Sequence, residues 1–291
     1  MAASAAQEEG AAAADAAGGA GALGGVETVE ATGDAAAADA AGMAADAVMP
    51  IAERFVSING EGPRAGRLAA FIRFTGCNLA CSWCDTSWAT PRSAPHEDAT
   101  IAELVEWVAG TGAACVTLTG GEPALQPALP PLIEALCTSE VWGGGLDAPR
   151  VVEIETNGAV DLAELDALRR RLATTAPAPL AAQGRTEVCF TVDCKMPSSG
   201  MTAQMVEANY QMVRSGDAVK FVVASHEDLD CARGLIEDEG LTDRCEVFLS
   251  SVFSCIDSAE IVDYMEQHRL AGVRLQLQLH KIIWPGQDKG V

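Results

Sequence analysis

Seven short apolar runs punctuate this chain: Leu68–Phe74, Cys115–Leu118, Val151–Ile154, Val188–Val192, Val219–Val223, Val247–Leu249 and Val273–Leu277. Near-continuous apolar runs of this length predict strands buried on both faces, as in a parallel sheet covered by helices. The segments between them read as helices. Ile101–Val108 is amphipathic, and Leu129–Leu136 carries Pro130 and Pro131 in its first turn, where proline is tolerated. Leu162, Leu165, Leu168 and Leu172 recur at helical spacing, and Ala203–Val213, Leu229–Glu239 and Ala259–His268 complete the set. Strands alternating with helices predict the α/β class with right-handed crossovers. Two architectures satisfy that pattern: an open doubly wound sheet, or a curved parallel sheet forming an incomplete barrel.

Residues 1–47 break the pattern. They are mostly Ala and Gly with scattered acids and no Lys or Arg. Little large apolar surface is available there to offset ordering entropy, so a disordered tail is predicted. The basic start and apolar core of a secretory signal are missing, as are the arginines of an organellar transit peptide. Residues 48–291 then form one domain with enough chain for a large core. No apolar run reaches the roughly 18 residues of a membrane-spanning helix. The net charge of −22 argues against nonspecific nucleic-acid binding, which needs a basic footprint. Ten cysteines without a secretory signal predict a reducing, cytoplasmic setting free of disulfides.

Three of those cysteines change the picture. Cys77, Cys81 and Cys84 are spaced C-x3-C-x2-C within GCNLACSWCDT. Three thiolates on one turn can hold three corners of an iron–sulfur cubane and leave one iron without a protein ligand. They can equally be part of a zinc site closed by a distant Cys or His. Trp83, just before the third cysteine, would place a large apolar ring against either centre and keep water away.

The other polar motifs all follow predicted strands. They are TGGEP (Thr119–Pro123), ETNG (Glu155–Gly158), DCKMPSSG (Asp193–Gly200) and SSVF (Ser250–Phe253). In a parallel sheet these strand ends open on one side, where barrel enzymes build their sites. Glu122 and Glu155 read as hydrogen-bonding groups at that mouth.

The cysteine motif and TGGEP resemble the radical S-adenosylmethionine superfamily. Together with SINGEG (Ser57–Gly62), Gly66–Arg67, FIRFTGCN, CSWCDT, ETNG, DCKMPSSGM and QLHKIIW, they resemble the 7-carboxy-7-deazaguanine synthase family over roughly residues 50 to 291. The resemblance implies a partial TIM-like barrel with helices outside. It implies a 4Fe–4S cluster on Cys77, Cys81 and Cys84, and S-adenosylmethionine chelating the fourth iron and cleaved to a 5′-deoxyadenosyl radical. The implied reaction is radical ring contraction of 6-carboxy-5,6,7,8-tetrahydropterin with loss of ammonia, a step toward queuosine-type 7-deazapurines.

Roles carry over residue by residue. S-adenosylmethionine is expected at Trp83, Cys84, Asp85, Gly121, Asp193, Cys194, Lys195 and the segment Ser250, Ser251, Val252 and Phe253. In that segment Ser251 replaces a common Pro, and Ser254 stands where Gly is usual. Thr86 matches a Mg2+ position, whose octahedral shell substrate oxygens would complete. The pterin is expected at Ile58, Asn59, Gly60, Glu61, Arg73, Thr119 and the terminal carboxylate at Val291. Asn59 stands in place of a frequent Gln, and the planar fork of Arg73 suits a carboxylate. A flavodoxin- or ferredoxin-like electron donor and a homodimer are also implied. Two rival readings share some of these features: a glycyl-radical activase, and a non-catalytic iron–sulfur or zinc module.

Overall fold

The computed structural model describes residues 46–143, 149–175 and 186–291. All but the last two residues of the predicted tail lie outside them, as do residues 144–148 and 176–185. The described residues form one sheet of nine strands. These are β1 (Val48–Ile58), β2 (Leu68–Phe74), β3 (Glu97–Thr100), β4 (Cys115–Gly120), β5 (Val151–Thr156), β6 (Glu187–Lys195), β7 (Ala218–Val223), β8 (Glu246–Ser251) and β9 (Val273–Gln276). The helices are α1 (Ile101–Thr111), α2 (Leu129–Thr138), α3 (Ala163–Thr175), α4 (Ala208–Met212), α5 (His226–Glu239), α6 (Ser258–His268) and α7 (Leu279–Ile283).

The sheet order is β3-β1-β2-β4-β5-β6-β7-β8-β9. From β2 to β9 every pair is parallel, as the apolar runs predict. The sheet is nevertheless mixed, because β1 pairs antiparallel with both β2 and β3. Neither β1 nor β3 is a continuous apolar run. Glu53 and Arg54 interrupt β1, and β3 reads EDAT. A second departure concerns Ala203–Val213. It forms a 3-10 turn at Thr202–Gln204 and then the short α4. The Val206 amide donates to the Gly158 carbonyl at 3.0 Å instead of to a helical neighbour, and Asn209 Nδ2 donates to Gly158 and Val160 carbonyls.

The two faces of the sheet differ. On the outer face Ile72, Val116, Ile154, Phe190, Phe221 and Leu249 pack under the helices in one large core. On the inner face a smaller cluster, Ala69, Phe71, Cys115, Val151 and Cys189 with Phe55, fills one end of the barrel. Beyond it the inward positions turn polar, with Thr117, Glu153, Thr191 and Lys220 buried. The sheet is open, and the β1–β2 turn ties its two sides together. Leu279 N donates to Gly60 O at 3.1 Å, and Gly62 N donates to Gln276 Oε1 at 2.7 Å. A side chain at Gly60 would meet His280 Nδ1 at 2.5 Å, so any larger residue there would push the His280 ring aside.

Arg169 on α3 fastens the helix layer to the strands that carry lumen charges. It is 2% exposed, its Nη1 binds both oxygens of Asp217 at 2.7 and 2.8 Å, and its Nε binds Asp166 at 2.7 Å. Asp217 in turn accepts from the Phe190 amide in β6 at 2.8 Å and precedes β7. Removing one partner of such a buried pair strands the other charge, at a cost of roughly 3–5 kcal/mol. Arg169→Met is therefore expected to lower the urea midpoint of unfolding substantially. An unchanged midpoint would show that the network is not a structural anchor.

Candidate active site in the barrel lumen

The cysteine loop leaves the end of β2 and is held from three sides. Gly76 N and Cys77 N donate to the carbonyls of Ala89 and Thr90 at 3.0 and 2.9 Å. Ser82 Oγ and Trp83 Nε1 reach Ser198, in the turn after β6, at 2.8 and 3.3 Å. From the β4 side, Glu122 N donates to Gly76 O at 2.8 Å. Cys77, Cys81 and Cys84 are all free and half-buried. Burial pushes the thiols of Cys77 and Cys81 up, against the N–H donors on Cys77 and the nearby Lys195 beside Cys81. Two donors converge on Cys77 Sγ: Leu79 N at 3.4 Å and Asn157 Nδ2 at 3.5 Å.

This donor set fits a 4Fe–4S cluster. It offers three soft sulfurs, hydrogen bonds to one of them, and the Trp83 ring nearby. The lumen next to the loop also holds buried polar atoms without a partner, Glu61 Oε1 and Ser250 Oγ. Orphaned atoms of this kind suit a polar ligand such as S-adenosylmethionine or a pterin.

The TGGEP turn explains its own glycines. A Cβ on Gly121 would lie 2.1 Å from Gly76 O, and one on Gly120 would lie 2.3 Å from Phe74 O. The close approach at Gly121 is thus made by the cysteine loop's own backbone, where the sequence suggested a ligand. Glu122 is fully buried. It accepts from Ala124 N, Thr156 Oγ1 and Asn157 N at 3.0, 2.8 and 2.6 Å, joining the turns after β4 and β5. Burial raises its carboxyl to about 7.

Inside the lumen the charges form one network. Lys220 Nζ binds Glu61 Oε2 at 3.0 Å and Asp193 Oδ1 at 3.2 Å, and Lys195 Nζ binds Asp193 Oδ2 at 2.5 Å. Burial works against each charge. The two ammoniums nevertheless hold the Asp193 carboxyl below its usual range, while Asp193, Glu61 and Glu155 hold Lys220 well above its own. Lys195 also lies 5.4 Å from the Trp83 ring centre, linking this network to the cysteine loop. At the loop's far end Lys281 binds Asp85 at 3.2 Å, and Thr86 Oγ1 donates to Asp85 Oδ1 at 3.2 Å.

The remaining expected residues divide into groups. Glu61, Arg73, Thr119, Asp193, Lys195 and Ser250 share the inner face or the turn inserted into it. Three others are engaged differently from the expectation. Cys194 faces the outer core, where its sulfur accepts from Tyr210 OH at 3.0 Å. Ile58 pairs with exposed Leu68, in the alternation that points outward. The Asn59 amide is occupied by Thr117 and Glu153 at 2.9 and 3.3 Å. Ligand contacts from Cys194 and Ile58 would therefore have to come from backbone atoms. Ser251 Oγ lies 3.4 Å from Ser258 Oγ, Val252 N donates to Val223 O, and Phe253 is 71% exposed at the mouth. Val291 is half-buried, next to Gly290, whose amide donates to Glu53 at 3.1 Å.

Sequence reasoning missed Lys220, Asn157 and Glu53. Lys220 had a signal: a lone cation within AVKFVV must face either a lumen or a partner. Asn157 lies in the ETNG motif at the mouth, which marked the segment but not the residue, and Glu53 had no signal, since nothing local marks an acid whose target is far along the chain.

Glu155 faces the lumen beside Thr119, and burial raises its carboxyl from 4.5 to about 7, with Glu153 and Glu61 adding to the rise and Lys220 opposing it. A carboxyl raised in this way gains a proton on folding, so its contribution is lost as pH climbs from about 4.5 through about 7. Glu155→Gln is expected to gain stability on the wild type as pH rises across that window, with the two urea-unfolding profiles converging at the acid end. A gap that stays constant with pH would refute the assignment.

Comparison with known proteins agrees with this geometry. Residues 71–176 match the Radical SAM superfamily. A 7-carboxy-7-deazaguanine synthase from Clostridium acetobutylicum is 39% identical over 241 residues, covering 83% of this chain and 98% of that protein. One from Chlorobaculum tepidum is 33% identical, covering 86% of this chain and all of that protein. The crystal structure of QueE from Escherichia coli superposes with a TM-score of 0.55 at 21% identity, over 78% of this chain and 92% of that one, and shares the fold. A radical SAM domain implies a 4Fe–4S cluster and S-adenosylmethionine, for which the loop and lumen are suited. By sequence likeness along nearly the whole length of these relatives, the chain belongs to the 7-carboxy-7-deazaguanine synthase family of radical SAM enzymes.

Proposed function

We propose that residues 48–291 are a catalytic domain that converts 6-carboxy-5,6,7,8-tetrahydropterin to 7-carboxy-7-deazaguanine with loss of ammonia. The observation that carries this reading is the continuity of the site. The three-thiol loop, the TGGEP turn and a polar lumen with unpartnered acceptors meet at one mouth of the barrel. When bound, the cluster and S-adenosylmethionine supply the radical chemistry, and the protein's task is to bind, orient and exclude water.

The chain's own residues divide that task. Cys77, Cys81 and Cys84 would hold the cluster. Trp83, Asp85, Gly121, Asp193, Lys195 and the Ser250–Phe253 segment would surround the sulfonium cofactor. Glu61 keeps one oxygen without a partner, and a carboxylate can only accept, which suits the N–H edge of a pterin. Arg73 and Thr119 are neighbours in register on β2 and β4 and face the lumen, where they would meet the substrate carboxylate. Thr86 would contribute one oxygen to Mg2+, the rest coming from substrate and water, so metal and substrate would bind together. A flavodoxin- or ferredoxin-like donor, a homodimer and a cytoplasmic setting complete the proposal. No helix among the described residues is long and apolar enough to cross a membrane.

Anaerobic incubation with the carboxylated pterin, S-adenosylmethionine and a reductant should yield the deazaguanine acid by mass detection. Cys84→Ala is expected to abolish both this product and 5′-deoxyadenosine, since the cluster loses a ligand. Wild-type deoxyadenosine formation in that variant would refute the cluster assignment. Arg73→Ala is expected to raise KM for the pterin by about tenfold or more, the range for losing a charge-assisted bond. An unchanged KM would remove Arg73 from the site.

A further inference from the structure

Arg73 does not stand alone. Its Nε donates to Glu53 Oε1 at 2.9 Å, and its guanidinium lies 5.9 Å from the centre of the Trp88 ring. Neither terminal nitrogen of Arg73 has a hydrogen-bond partner among the described residues. Both side chains of the pair are largely buried. Trp88 adds a second observation, because its indole Nε1 is buried and donates to nothing. One buried donor without an acceptor, beside an arginine whose terminal nitrogens bond no described residue, suits an acceptor supplied by a ligand.

The backbone shows how Glu53 reaches this place. Ile51 pairs with Phe74, and both face the outer core. Strict alternation would send Glu53 outward as well, since a strand repeats every second residue. The register shifts between Ile51 and Glu53, however, so that Glu53 pairs with Arg73 on the inner face. An extra residue in one strand turns the following side chains to the other side, and such bulges recur next to active sites. Glu53 is then fixed at its other end as well, where Oε2 accepts from Gly290 N at 3.1 Å.

We propose that Glu53 is a positioning residue for substrate selection. It clamps Arg73 by Nε and leaves the two terminal nitrogens directed as a fork for the pterin's carboxylate. The inference rests on the reading of Arg73 as the carboxylate-binding group. An arginine held by its Nε keeps both Nη donors for one two-pronged bond, and little side-chain freedom remains to be lost on binding. Glu53 thereby contributes to discrimination between carboxylated and carboxylate-free pterins without touching either.

The test compares KM for 6-carboxytetrahydropterin with the inhibition constant of tetrahydropterin, which lacks the carboxylate. Glu53→Ala is expected to raise KM by about tenfold while kcat stays within about threefold, the scale on which a displaced binding group acts. The inhibition constant should not change. Glu53→Gln keeps an acceptor for Nε–H while losing the charge and the second acceptor, which meets Gly290 N, so its KM should stay well below that of Glu53→Ala. Should Glu53→Ala fail to fold, Glu53→Asp, whose shorter side chain draws the fork away, carries the same expectation as alanine. A KM that is unchanged or lowered, or an inhibition constant that rises in step with KM, overturns the inference. If Arg73→Ala raises KM and the Glu53 variants do not, the positioning role falls and Arg73 stands. If Arg73→Ala has no effect, the reading of Arg73 falls first.

Discussion

Two stretches of backbone touch where a side chain would forbid it. Gly76 O lies where a Cβ of Gly121 would sit, and the amide of Glu122 caps that same carbonyl. This contact locks the cysteine loop to the turn after β4. Glu122 carries the lock onward, because its buried carboxylate binds the turn after β5 through Thr156 and Asn157. Asn157 then returns to Cys77 Sγ. A closed circuit of short contacts therefore sets where the first of the three sulfurs stands relative to the lumen. A radical made at a cluster must be aimed, and preorganised geometry is how proteins aim it.

The lumen follows a different logic. Burying Lys220 is unfavourable unless its charge is matched, and Glu61 and Asp193 match it. Glu61 reaches Lys220 only because the β1–β2 turn folds inward, and that turn is held by Gly60 against α7 and by Gly62 against Gln276. The device that closes the open side of the barrel is thus also the device that completes its charge balance. Burial, with Glu153 and Glu61 nearby, raises the Glu155 carboxyl to about 7, and Lys220 opposes the rise.

Much of the architecture was readable from pattern. The seven parallel strands coincide with seven apolar runs, because a strand covered by helices needs apolar residues at its outward positions. The antiparallel β1 escaped notice because it exposes Val48, Val56 and part of its polar residues, so no continuous run marks it. Ala203–Val213 misled for the opposite reason. Its composition suits a helix, yet Val206 and Asn209 are recruited by the turn after β5. Tertiary hydrogen bonds outweighed local propensity there.

The chain by itself determined its chemistry. Three cysteines within one turn, glycines at close approaches and polar motifs after successive strands are local features, and local spacing constrains what they can hold. Only the tertiary structure decided which way side chains face. A one-residue slip in a strand exchanges inside for outside, and the shift between Ile51 and Glu53 does so for Glu53. The same parity turned the Cys194 sulfur away from the lumen and toward Tyr210. Register is set by pairing between distant segments, so no reading of neighbours along the chain can supply it.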